Sequence, residues 1–156
     1  MISAFFSQVA SRAQRYSHCG ILDYDSLSGE WVVWHALQDR TLLADGIFCQ
    51  SLETFVEESE AIAVYPATLL DSSALARMRL YIRDRVATGR YPKLFDSRFD
   101  LTDTTTIYCT EFVALAYQAT GIALYQVTPT GHTIGIPYAY YTLDDLTEAV
   151  TMGSPG

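Results

Sequence analysis

The sequence is short of cysteine, of positive charge and of long apolar runs. Cysteine occurs three times in 156 residues, at Cys19, Cys49 and Cys109, an odd number without a C-x-x-C pair. That count excludes a disulfide scaffold and fits a reducing compartment with one reactive thiol. Ten basic residues stand against eighteen acidic ones, a formal net charge of -8. So acidic a surface repels phosphate backbones and anionic headgroups, which argues against nucleic acid as a partner and for a neutral or cationic substrate. No apolar stretch approaches the ~20 residues needed to span a bilayer, so no transmembrane segment is expected. The opening residues, MISAFFSQVASRAQRYS, lack a basic n-region and an uninterrupted h-region. They do not read as a signal peptide, and a cytoplasmic location is the expectation.

Nearly half the residues are hydrophobic (49%) and 18% are charged, a balance that gives a compact core and excludes disorder. Residues 1–156 fit one domain. Along the chain, Phe5, Phe6, Val9 and Ala13 share one side of a helix if residues 3–15 are helical. Two β-rich runs, about 17–25 and 30–37, flank the turn SLSG and predict a hairpin. Ser51 is placed to cap a short helix carrying Leu52, Phe55 and Val56. AIAVYP, ended by Pro66, reads as a buried strand. Asp71 caps an amphipathic helix with Leu75, Met78, Ile82 and Val86 on its apolar side and Gly89 at its end. RYPKLFDSRFDLTDTTT is rich in turn formers and reads as an ordered loop. IYCTEFVALAYQATG predicts a helix facing the core with Phe112, Val113, Ala116 and Ala119, with Gly121 past its end. IALYQV is β-like, and Thr142 is placed to cap a last short helix. Strands and helices are separated rather than strictly alternating, which predicts an α+β fold with a central antiparallel sheet packed against helices.

Cys109 falls at the first turn of the helix that runs to Thr120. Exposed amides and the positive dipole end there favour a thiolate, the nucleophilic form. The same position also suits a small buried hydrophobe. His18 opens the first hairpin strand and His35 lies near the end of the second. Antiparallel pairing sets the start of one strand beside the end of the other, so the two rings can be neighbours, one as base and one as its orienting partner. Ordinary sheet histidines would read the same way. Tyr108 could donate to an oxyanion alongside the Cys109 amide, or pack against the sheet. Glu111 suits the helix start or an arginine partner. His132 reads as a loop residue. A zinc site on His18, Cys19, His35 and Cys109 is disfavoured, because strand neighbours point to opposite faces and no metal-ligand spacing occurs. No metal and no cofactor are expected.

Three motifs together resemble a known family: Ser17-His18-Cys19-Gly20-Ile21, Trp34-His35-Ala36 and Tyr108-Cys109-Thr110-Glu111-Phe112-Val113. The chain looks like the circularly permuted NlpC/P60 papain-like hydrolases, of the YaeF/YiiX type (peptidase C92-like). Tyr141-Thr142-Leu143-Asp144-Asp145-Leu146 is similar to the family's closing T-P-D-D-L. The likeness runs from about residue 16 to 146. It implies a permuted papain-like fold with Cys109 as nucleophile, His18 as base, His35 in the orienting position and a small amide, peptide or acyl substrate. Many bacterial members have Glu in that third position. His35 is closer to the related lecithin retinol acyltransferase-like proteins, which handle lipid acyl groups. A binding module on the same fold is the third alternative. The G-D-containing strand that usually precedes the histidine strand is not found ahead of Ser17, and Cys19 is expected to face away from the site.

Overall fold

The computed structural model describes residues 2–7, 17–39, 44–68, 70–87, 94–122, 127–132, 134 and 137–152. Within them the fold is α+β. Five strands, β1 (Ile2–Ser7), β2 (His18–Asp25), β3 (Glu30–Asp39), β4 (Ala44–Ser51) and β5 (Ala61–Pro66), form one sheet in the order β4-β3-β2-β1-β5. Every neighbouring pair is antiparallel. A short helix, α1 (Leu52–Glu57), leads from β4 towards β5; α2 (Ser72–Ala87) follows. Leu94–Phe95 (β6) and Thr106–Ile107 (β7) pair in parallel ahead of α3 (Cys109–Gln118), and α4 (Leu143–Met152) comes last. No helix among the described residues is long and apolar enough to cross a membrane.

Strand alternation divides the sheet into two unequal faces. Cys19 and Ile21 of β2 and Ala36 of β3 meet Met78 and Ile82 of α2, Phe112, Val113 and Ala116 of α3, and Leu146 and Val150 of α4 in the main core. On the opposite face Leu22 and Val33 pack under Phe55 of α1. A hairpin whose two sides are both covered needs a tight closure. Gly29, at φ +75, supplies it, and its N–H donates to the Asp25 carbonyl at 2.8 Å.

The helix ends follow local chemistry. The Ser51 hydroxyl accepts the Thr54 N–H at 3.1 Å, and Asp71 accepts the Ala74 N–H at 2.8 Å. At α4, Thr142 and Asp145 form a reciprocal box: the Asp145 N–H donates to the Thr142 hydroxyl at 3.1 Å and the Thr142 N–H to the Asp145 carboxylate at 2.8 Å. Of the α2 side chains expected to face the core, Met78 and Ile82 are buried and Leu75 is half-buried, whereas Val86 is exposed. Gly89 and most of IALYQV lie outside the described residues.

Three expectations need correction. Residues 2–7 are strand, not the start of a helix: β1 is hydrogen-bonded on both sides, to β2 and β5, and two ladders outweigh the weak helical spacing of Phe5 and Phe6. The remainder of the expected helix, residues 8–15, is outside the described set. AIAVYP is a strand, but at the sheet edge. Ile62 and Val64 point to the same side of the strand and are exposed there. The loop 90–106 contains β6, whose pairing with β7 sets the approach to α3.

Candidate active site

Cys109 is the first residue of α3, preceded by Tyr108 in extended conformation (φ -111, ψ 169). The Phe112 N–H bonds the Tyr108 carbonyl at 2.9 Å, so the first amides of the helix stand around the thiol without partners in the helix. The Cys109 thiol is held well below the usual thiol range. Hydrogen bonding from the Cys19 side chain is the largest cause; burial opposes it, and hydrogen bonding and charge from His18 add to it. The Cys19 thiol moves the other way, raised by burial and by Cys109.

His18 and His35 join across the hairpin: His18 Nε2 and His35 Nδ1 are 2.9 Å apart, with ring planes at 71°. Gly20 makes this approach possible. A Cβ there would lie 2.7 Å from Val33 Cγ1, 2.8 Å from the Trp34 carbonyl oxygen and 3.1 Å from His35 Cβ. With no side chain at residue 20, the His35 ring can lean along the sheet towards His18. Phe48 and Phe55 enclose it, with ring centroids 4.5 and 5.0 Å away.

This apolar box fixes the charge of His35. Burial first, and the charge of His18 second, push its pKa down to about 3, against a weak opposing effect of Gln50. His35 is therefore neutral near pH 7, and when His18 donates from Nε2, His35 accepts at Nδ1 and carries its own proton on Nε2. With Nε2 of His18 engaged, Nδ1 is the nitrogen left for Cys109. His35 and His18 are thus joined by a 2.9 Å bond, and His18 in turn acts on the thiol at the start of α3.

Tyr108 is fully buried, stacked edge-on against Phe99 at 5.0 Å, and its hydroxyl accepts the Tyr141 N–H at 2.8 Å. Burial raises its pKa far above the ordinary phenol value. Its oxygen is thus tied to the segment leading into α4. Thr110 reinforces that tie by donating to the Tyr141 carbonyl at 2.7 Å. Glu111 takes the helix-start role: its carboxyl accepts the Tyr108 N–H in a long contact of 3.4 Å. Burial pushes its pKa up to about 8, helped by the charges of Asp96, Asp103 and Asp100. A neutral Glu111 leaves the positive end of α3 to the Cys109 thiolate. His132 is exposed in the loop before α4.

The expectation that Cys19 faces away from the site is overturned. Alternation turns Cys19 to the α3 face, where it shares the main core with Cys109 and Phe112 and is the largest cause of the lowered Cys109 thiol. Gly20 and Phe55 were named in the sequence only as a motif residue and a helix core residue, and Phe48 not at all; none was expected at the site. The glycine between two buried strand residues was the available signal for the first; nothing local marks the two rings. Among the described residues no group of three or more His, Cys, Asp or Glu side chains is arranged to hold a metal ion.

Comparison of the chain with models of known families, with curated proteins and with solved structures finds no match. The case for function rests on the site itself.

Proposed function

We propose that the protein is a cysteine-dependent hydrolase of the papain-like, permuted NlpC/P60 type, cleaving an amide or peptide bond through a thioester. The observation that carries the reading is the 2.9 Å bond between His18 and His35, with His18 among the groups that lower the thiol of Cys109 at the start of α3. A buried sheet histidine needs no second histidine, and a buried structural thiol is normally driven towards its neutral form rather than away from it.

In this reading the Cys109 thiolate attacks the carbonyl carbon. The oxyanion forms at the start of α3, where the Cys109 N–H is free to meet it. His18, protonated in the ion pair, gives its proton to the leaving nitrogen. It then takes one from the water that cleaves the thioester. His35 holds the His18 ring in one orientation and tautomer, as the third member of a triad does. Tyr108 supports the site by fastening the Tyr141 segment beside it.

One observation favours a second reading, acyl-lipid hydrolysis or transfer. The orienting residue is a histidine rather than a carboxylate, which resembles the acyltransferase-like branch, and Phe48 and Phe55 enclose it in apolar surroundings. A panel of fluorogenic amides, peptides and acyl esters separates the two. Turnover of amides or peptides, lost in Cys109→Ala, supports the first; turnover confined to long-chain acyl esters supports the second. Retained turnover in purified Cys109→Ala protein removes both.

A further inference from the structure

Near the closed end of the β2–β3 hairpin, a cavity of about 320 Å³ is bounded by β2, β3 and β4 on one side and α2 on the other. It is apart from the Cys109 site. Asp23 and Asp25 on its wall stand five to seven residues beyond His18 along β2, roughly 16–23 Å at the rise of a strand. Val32 and Trp34 of β3 and Ile82 of α2 give it an apolar lining. Two pairs of opposite charges line it as well. Asp23 and Asp25 are alternate residues of β2 and share a face, and Arg79 and Arg83 are one turn apart on α2. The first pair is closed. Arg79 donates to both oxygens of the buried Asp23 at 2.6–3.2 Å. The second pair, one step further along both elements, is open: among the described residues no ion pair joins Asp25 to Arg83. The Asp25 carboxylate is held only by its own turn, through the Leu27 N–H at 3.1 Å, the Ser28 N–H at 3.3 Å and the Ser28 hydroxyl at 2.8 Å. Arg83 is exposed and makes no hydrogen bond among the described residues.

We propose that this cavity binds a free α-amino acid with an apolar side chain, its carboxylate on Arg83, its ammonium on Asp25 and its side chain over Trp34 and Ile82. A ligand with one charge is a poor fit. A simple anion gains Arg83 but is set against Asp25, and a simple cation gains Asp25 but is set against Arg83. A zwitterion satisfies both and closes the open pair through itself. The Arg83 guanidinium offers a planar fork of donors that matches a carboxylate. Asp25 retains acceptor capacity beyond the three bonds of its turn. The closed Asp23–Arg79 pair forms a neutral, fixed wall beside them. The volume lies at the small end of ligand pockets, which suits one amino acid rather than a peptide. The assignment does not rest on the hydrolase reading, because none of its residues belongs to the Cys109 site.

The test is titration of the full chain with L-leucine, followed by calorimetry on wild type and by tryptophan fluorescence on Trp31→Phe, which leaves Trp34 as the only tryptophan. The expected result is a saturable signal with half-saturation at about 10 mM or tighter, the weak end of affinity per atom for small ligands. N-acetyl-L-leucine, which lacks the ammonium, and L-leucinamide, which lacks the carboxylate, should each bind about tenfold more weakly or worse. Arg83→Gln and Asp25→Asn should weaken L-leucine by a similar factor. Because Asp25 also holds its turn, the exposed Arg83 is the deciding position. Wild-type affinity in a folded Arg83→Gln protein would place the ligand elsewhere and overturn the proposal. Equal binding of L-leucine and either singly charged analogue would overturn it too, as would the absence of saturation by both readouts. Binding needs no turnover, so a saturable signal in a protein that hydrolyses nothing separates this proposal from the hydrolase reading.

Discussion

Replacing Gly20 by alanine tests how the histidine pair is built. The added Cβ would sit 2.7 Å from Val33 Cγ1 and 2.8 Å from the Trp34 carbonyl oxygen, both well inside the 3.4 Å at which ordinary contact begins. A backbone oxygen cannot rotate aside, so β2 and β3 must separate locally. The third contact, 3.1 Å to His35 Cβ, moves that residue away from His18. Overpacking of this kind costs roughly 1–3 kcal/mol. For a domain of this size that lowers the thermal midpoint by about 2–12 °C. The 2.9 Å bond between the rings has little slack before it is lost. Losing the orienting partner in a serine triad lowers turnover about ten-thousand-fold. A thiolate already set by a helix start depends less on its base, so roughly ten- to a thousand-fold is expected. Gly29→Ala is the control. Its φ of +75 strains any side chain, but the nearest atom is 3.8 Å away at the far end of the hairpin. It should cost roughly 1–2 kcal/mol and leave turnover per folded molecule unchanged. Thermal midpoints and turnover measured side by side decide the matter. A folded Gly20→Ala protein with wild-type turnover would refute the argument that the bare strand position assembles the site.

His35→Gln keeps an acceptor for His18 and should retain more turnover than His35→Ala; equal turnover of both with wild type would remove His35 from the site. Because the pKa of His35 is pushed down to about 3 when folded, its stability contribution is complete above about pH 6.5 and is lost as pH falls from there towards 3. His35→Gln should therefore show a flatter thermal midpoint across that window, and an unchanged slope would contradict the burial of a neutral ring. Glu111 has the opposite sign. With its pKa raised to about 8 from an ordinary 4.5, its stability contribution is complete below pH 4.5 and declines as pH rises towards 8. The midpoint of Glu111→Gln should consequently gain on wild type between pH 5 and pH 9, whereas a constant offset would mean that Glu111 is ionised throughout.

Much of this site was legible because its parts are set by local rules. The hairpin follows from two β-rich runs around SLSG, and antiparallel pairing then requires that His18 and His35 approach. Cys109 stands at a helix start because the apolar period of Phe112, Val113 and Ala116 begins just after it. Ser51, Asp71 and Thr142 cap helices through their own side chains. The features that were not legible depend on partners distant in sequence. β1 carries apolar residues that suit a helix as well as a strand, and only its pairing with β2 and β5 decides. β4 was missed although Ile47, Phe48 and Cys49 are good strand formers, because Gly46 (φ 110) and the following Ser51 cap masked the run. The direction of Cys19 required knowing which face α3 covers. The enclosure of His35 depends on Phe48 and Phe55, brought in by β4 and α1.

The central claim is that Cys109 is a nucleophile activated by His18, and its reactivity tests this most directly. Wild type, His18→Ala and Cys109→Ala proteins are treated briefly with limiting iodoacetamide across a pH series, and the modified cysteine is identified by peptide mass. The account predicts alkylation of Cys109 below pH 7, with a midpoint under the ~8.5 of a free thiol. It also predicts an upward shift of that midpoint in His18→Ala, and little labelling of Cys49 at the same pH. A wild-type profile with the midpoint of a free thiol, overlaid by that of His18→Ala, would contradict it.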